Sequence, residues 1–197
     1  MNLDVFIGAM VCLGLTGVAA HGGPSTNSSG RAKGNGFLLV ANKGNHSLGI
    51  IDPVERRQIA SVDVEGVTGH EVAASPDGLR AFVPIFGSGG VGGPGTDGQH
   101  IRVIDLDEKR IVATVDFGKG VRPHEALFSP RDKRLYVTTE LEDSVSIIDP
   151  DSLRVVGSVP TGQRESHMLA ITRDGRRAVT SNVGPGTVSV LDLEARK

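Results

Sequence analysis

From residue 37 onward the apolar positions come in short runs, most of them alternating with polar ones, and each run is closed by Gly, Pro, Asp or Ser. The clearest stretch is His124 to Gly162. It begins His124-Glu125-Ala126-Leu127-Phe128, turns at Ser129-Pro130-Arg131-Asp132, and continues with Leu135-Tyr136-Val137-Thr138. Val145-Ser146-Ile147-Ile148-Asp149 follows the loop Glu140-Leu141-Glu142-Asp143, and Arg154-Val155-Val156-Gly157-Ser158-Val159 comes last. Runs this short, rich in β-branched residues and bounded by turn formers, predict strands rather than helices. Four of them in about forty residues predict one blade of a β-propeller, a four-stranded antiparallel sheet.

The unit recurs. His70, His124 and His167 are each followed five residues later by a turn: Ser75-Pro76-Asp77-Gly78, Ser129-Pro130 and Thr172-Arg173-Asp174-Gly175. Asp52, Asp105, Asp149 and Asp192 each end a third run, and Asn42, Thr139 and Asn182 precede their Asp by ten residues. His124 to His167 and Asp149 to Asp192 both span 43 residues, whereas His70 to His124 spans 54 because residues 86–100 carry a Gly-rich insertion. Agreement of three registers through an insertion marks a true repeat. Counting runs gives fourteen strands, about 3.5 blades. The first copy lacks its inner strand and the last its outer one.

Leu135-Tyr136-Val137-Thr138, Asp143-Ser144-Val145-Ser146-Ile147-Ile148-Asp149 and the His-x4-Ser-Pro-Asp-Gly spacing resemble the YVTN-type repeat of YncE-like proteins. The resemblance covers roughly residues 37–195, and the partial set of repeats is expected over residues 37–197. It implies a seven-bladed propeller of the cell envelope or exterior, present here as a partial ring and related to lactonase-like propellers. Thr139 stands where the repeat has Asn, and the number of copies is about half of what that family needs.

Composition narrows the functions. A net charge of −2 gives no basic surface for nucleic acid, and the absence of Trp argues against a WD-type propeller. Val5 to Ala20 is apolar, too short for a comfortable membrane span, and ends Val18-Ala19-Ala20. Residues 1–20 therefore read as a cleaved signal peptide, although the start carries Asp4 and no Lys or Arg. Residues 21–36 are Gly, Ser, Asn and Pro and read as a flexible linker. Export to the periplasm or outside the cell is expected, with no stable membrane span after cleavage. Cys12, the only Cys, would leave with the leader.

In an up-and-down meander the repeated histidines start the innermost strands, on the face that also carries the longer loops. Variable loops on a rigid scaffold are where binding concentrates. Candidate ligand-binding residues on that face are His70, Glu71, His100, Arg122, His124, Glu125, Arg164 and His167. His70, His124 and His167 form an arc that could hold a divalent metal, the one cofactor these residues suggest. The competing view makes each His a repeat-wide structural residue, since equivalent positions in adjacent blades commonly lie several ångströms apart. Arg122 and Arg164 offer donors for an anion, or else are solvated rim charges. The Gly-rich insertion lacks a phosphate-loop context and reads as a mobile flap, either inert loop growth or a cover with a part in binding, with His100 at its end able to approach the channel. The four recurring Asp residues fit Asx turns better than catalysis.

The function these features support is a non-enzymatic binding or scaffold protein, taking a protein or small-molecule ligand at the channel mouth. The alternative is a metal-assisted hydrolase of the lactonase-like type using the His/Glu arc. Open blade flanks point first to a piece of a longer protein and, as the second option, to a half-ring that self-associates through its open edges.

Overall fold

The computed structural model describes residues 36–67, 69 and 71–197. The expected leader, the linker up to residue 35, and His70 lie outside the described residues. Four antiparallel sheets follow one another along the chain. The first holds β1 (Leu38–Asn42), β2 (Ser47–Asp52) and β3 (Arg57–Asp63). The second holds β4 (Ala73–Ala74), β5 (Arg80–Gly87), β6 (Asp97–Asp105) and β7 (Arg110–Asp116). The third is β8 (Pro123–Phe128), β9 (Leu135–Thr139), β10 (Ser144–Asp149) and β11 (Arg154–Pro160). The fourth is β12 (Ser166–Ile171), β13 (Arg177–Asn182) and β14 (Thr187–Asp192). Strand order within each sheet is sequential. The first strands of successive sheets touch, β4 with β8 and β8 with β12, so the sheets radiate from a shared inner edge. This is a partial β-propeller of fourteen strands among the described residues, with the incomplete first and last blades that the sequence predicts.

Turn chemistry repeats as strictly as the strands do. The Oδ1 of Asp52, Asp105, Asp149 and Asp192 each accepts the backbone N–H groups two and three residues on, at 2.7–3.1 Å. Two residues further, Arg56, Lys109, Leu153 and Arg196 take positive φ of 52°, 55°, 56° and 53° to reverse the chain. These N–H donors hold the Asp149 and Asp192 carboxyls below their ordinary range. The four acids are therefore turn anchors, as expected. A register shift recurs just before three of them, at Ile50/Ile51, Val103/Ile104 and Ile147/Ile148, so the first three blades carry the same β-bulge between their third and fourth strands. Asn42, Thr139 and Asn182 end the second strand of their blades and bond hydroxyls of the third: Ser47, Ser144 and Thr187. That side-chain staple accounts for their fixed distance from the Asp.

Alternation sends the two faces of each sheet into two different cores. Leu48, Ile50 and Val62 of the first sheet meet Ala81, Val83 and Ile104 of the second. Phe82, Ile101 and Val103 meet Leu135, Val137 and Ile148. Tyr136, Val145 and Ile147 meet Ala178 and Leu191. The hydrophobic interior is thus three wedges between blades. The inner strands are gripped on both faces only where a blade stands on each side. In β12, whose far side is open, Met168 and Ala170 are exposed. The inner run of the second blade also differs from expectation, since its regular pairing is only two residues long.

Candidate functional site

His124 and His167 are the second residues of β8 and β12, adjacent inner strands. Identical register brings the imidazoles into a stack, centroids 3.5 Å apart and planes at 31°. The separation of several ångströms expected for equivalent positions does not hold, because inner strands of neighbouring blades converge at this edge. Phe86, at the end of β5, presents its ring edge-on to both, at 5.5 Å to His124 and 6.2 Å to His167. His124 is buried and Nδ1 of both rings is shielded from solvent, while the His167 side chain keeps 19 % of its surface.

Behind the rings lies an ionic cluster. Arg122 is buried and satisfied on every side. Its Nε donates to Asp97 Oδ1 at 2.6 Å, its Nη1 to Glu140 Oε1 at 3.1 Å and Gly90 O at 3.2 Å, and its Nη2 to Gly93 O at 2.8 Å. Burial pulls the guanidinium pKa down, but hydrogen bonds and charge from Asp97 and Glu140 outweigh it and leave the pKa raised. Glu140 is fully buried in a 3-10 turn, Glu140–Glu142. Its Oε1 also accepts the Gly92 N–H at 3.0 Å. Its Oε2 has no hydrogen-bond partner among the described residues and lies 4.0 Å from His167 Nδ1.

Two expectations change here. Arg122 is neither a rim charge nor a free anion fork, because its donors are spent within the fold. The Gly-rich insertion is not a loose flap: Arg122 and Glu140 tie it down through Gly90, Gly92 and Gly93. Glu165, at φ +58°, packs so closely that a Cβ on Gly92 or Gly184 would sit 2.6 or 2.7 Å from its carboxylate oxygens. Those contacts fall on the end of a flexible side chain, which can swing aside, whereas Gly92 itself takes φ +63°, a conformation that favours glycine.

The remaining candidates divide. Glu71 and Glu125 lie near each other, half-buried on adjacent inner edges. Burial, then the Glu71 charge, pushes Glu125 up to about 7, and burial also raises Glu71. His100 does not approach the histidine pair. It sits on β6, two strands out from β4, with Asp116 of β7 3.6 Å away. Arg164 is exposed at the rim. Among the described residues no group of three His, Cys, Asp or Glu side chains is disposed to hold a metal ion. Sequence reading passed over Phe86, Asp97, Glu140 and Glu165. A shallow groove of about 480 Å³ between the outer parts of the second and third blades, lined by Phe117, Lys119, Glu142 and Ser158, contains neither histidine.

The raised Glu125 pKa makes stability depend on pH. Between its ordinary value of 4.5 and its folded value of about 7, the folded state binds more protons than the unfolded chain, so stability falls as pH rises through that window. Glu125→Gln should flatten this slope and stabilise the protein at pH 8 by about 1–2 kcal/mol, solvent screening allowed for. Melting curves of both proteins at pH 5 and pH 8 check it. Parallel shifts in wild type and variant would refute the assignment.

The model of the cytochrome D1 heme domain family matches residues 95–196, just over half of the chain, a span that holds Asp97, Arg122, His124, Glu140 and His167 but not Phe86 or the insertion residues Gly90, Gly92 and Gly93. The chain belongs to that family. No curated protein sequence matches it. Among solved structures it is similar to hydrazine synthase of Kuenenia stuttgartiensis, with TM-score 0.70 and 20% identity, covering 88% of this chain and 51% of that one. It is also similar to the dihydro-heme d1 dehydrogenase NirN in complex with DHE, with TM-score 0.59 and 19% identity, covering 82% of this chain and 34% of that one. The chain thus spans about half or less of the structures it resembles. These likenesses establish the β-propeller fold. The resemblance to the YVTN-type repeat stands at the level of that fold, whereas membership of the cytochrome D1 heme domain family is what the match establishes.

Proposed function

We propose that this propeller binds a heme-type tetrapyrrole on its loop face, against the His124–His167 pair. The observation that carries the proposal is the stack itself, two imidazoles in contact at 3.5 Å within a region matching a heme-domain family. Rings that touch leave no room for an iron between them, so both would serve one face of a macrocycle. The donor set fits such a group. Phe86 supplies an apolar flank, the exposed part of the His167 ring excludes its shielded Nδ1, and Glu140 Oε2 stands behind that nitrogen. At 4.0 Å that carboxylate is beyond hydrogen-bond reach and acts on the ring through its charge, which favours the orientation that turns Nδ1 towards it. When bound, the heme would supply the redox or ligand-binding centre. The protein's residues would position it, exclude water from one side and present imidazole hydrogen bonds to whatever occupies that side.

This reading retains the exported binding protein expected from the sequence and supplies a ligand class in place of the divalent metal. Titration of the purified chain with hemin, followed by visible absorbance, tests it. Saturable binding should appear and weaken at least ~10-fold, about 1.4 kcal/mol, in His124→Ala and His167→Ala. Equal binding by wild type and both variants, or none by wild type, would remove the proposal.

A further inference from the structure

The strands that carry the imidazole pair slip register at the histidine itself. In the third sheet Pro123 pairs with Thr139 and Ala126 with Val137, so His124 and Glu125 together face Thr138. In the fourth, Ser166 pairs with Asn182 and Leu169 with Thr180, so His167 and Met168 together face Ser181. Two residues against one make a β-bulge, a device that re-aims a side chain, and in both bulges the first residue is the histidine. A bulge also takes one amide out of the ladder, and here a hydroxyl receives it each time. Thr138 Oγ1 accepts the Glu125 N–H at 3.0 Å, and Ser181 Oγ accepts the Met168 N–H at 3.3 Å.

Thr138 reaches further than its counterpart. A hydroxyl that has accepted one hydrogen bond still has a proton to give. Thr138 Oγ1 donates it to His167 O at 2.6 Å, in the next blade. One fully buried side chain thus joins the residue after His124 to His167 itself. The second blade shows the same position without a hydroxyl. Pro84 pairs with Ile101 there as Thr138 pairs with Val145, and the inner ladder of that blade runs only over Ala73 and Ala74.

We infer that Thr138 is the positioning residue of the imidazole pair: its hydroxyl bridge holds β8 against β12 and so sets the 3.5 Å contact between the rings. What a ligand gains from that contact rests on the tetrapyrrole reading, whereas the spacing of the rings does not. Valine has the shape of threonine without the hydroxyl, so Thr138→Val deletes the bridge and keeps the packing. It also leaves the Glu125 N–H and the His167 carbonyl short of a partner, which pushes the two strands to rearrange. Thr138→Ser keeps the bridge.

NMR of the full chain without ligand tests the spacing, through magnetisation transfer between the ring protons of His124 and His167. Wild type, Thr138→Ser and the control Ser181→Ala should all show the ring-to-ring signal. Thr138→Val should lose it with an unchanged β-sheet circular dichroism spectrum. Survival of the signal in Thr138→Val overturns the proposal, as does its loss in Thr138→Ser or Ser181→Ala. Where Thr138→Val fails to fold, wild type decides. Its buried Thr138 hydroxyl proton should exchange slowly enough with water to be seen, and a proton lost to fast exchange overturns the bridge. Hemin titration of the same proteins tests the consequence: Thr138→Val should bind at least ~10-fold more weakly than wild type, and Thr138→Ser within about threefold. Lost ring contact with unchanged hemin affinity overturns the role in binding. Hemin binding by none of the proteins removes the tetrapyrrole reading, while the ring signals still decide for or against Thr138.

Discussion

Arg122→Ala is expected to lower stability by about 3–5 kcal/mol, which for a chain of this size is a fall in melting temperature of roughly 6–20 °C. The size of the effect comes from what the substitution leaves behind. Glu140 is fully buried and its Oε1 is held by the Arg122 guanidinium. Without that partner a carboxylate remains in the interior with one backbone N–H, from Gly92, to stabilise it. The same change releases the Gly90 and Gly93 carbonyls, and with them the anchorage of the insertion. Glu140→Gln alone removes a charge and keeps an acceptor, so it should cost less. The double variant Arg122→Ala/Glu140→Gln should recover part of the loss, because the buried negative charge is gone. Thermal melts of the four proteins decide the matter. Equal losses in Arg122→Ala and the double variant would mean that the guanidinium acts only by packing.

The fold was legible because its determinants are local and repeated. Asp52, Asp105, Asp149 and Asp192 each organise their own turn through N–H groups no more than three residues away. A pattern that needs only its neighbours can be read from neighbours. The apolar face of the fourth blade was legible for the same reason, since Val188 and Val190 carry the alternation of Val145 and Ile147. The site was legible only in part. His124 and His167 could be assigned to one rim by register, but the distance between their rings depends on how closely β8 and β12 converge. Glu140 gave no signal at all. It lies beside Leu141, Glu142 and Asp143 in a stretch whose acidity reads as solvated loop. It is buried because an insertion from the preceding blade, 48 residues earlier at Gly92, folds back over it. Arg122 was misread for the same cause: its partners Gly90, Gly93, Asp97 and Glu140 are supplied by two other loops. Long-range pairing of this kind leaves no periodic trace.

Phe82→Ala should cost about 3–5 kcal/mol, through loss of buried apolar surface and the cavity left behind. Phe82 is the largest fully buried side chain among the described residues and belongs to the wedge between the second and third blades. Its ring meets Phe128 edge-to-face at 5.3 Å, across the blade boundary, and Arg80 lies 5.6 Å above its centre. That Arg80 also donates through Nη1 to Pro150 O at 2.9 Å, so one aromatic and one cation clamp the second blade to the third. Phe82→Leu keeps most of the volume and loses the ring contacts, and it should cost less, about 1–2 kcal/mol. The two substitutions separate two pictures of how the propeller coheres. When blades unfold together, denaturation of Phe82→Ala stays a single transition with a lower midpoint. Should the wedge at Phe82 be the weak joint, the variant splits into two transitions, one for each side, while the wedge around Tyr136 and Ile147 holds the last two blades together. Urea denaturation read by circular dichroism and by fluorescence of Tyr136, the only Tyr in the chain, reports the two sides separately. Coincident midpoints by both probes are the outcome expected here, because each inner strand that is covered on both faces belongs to two wedges at once and couples them.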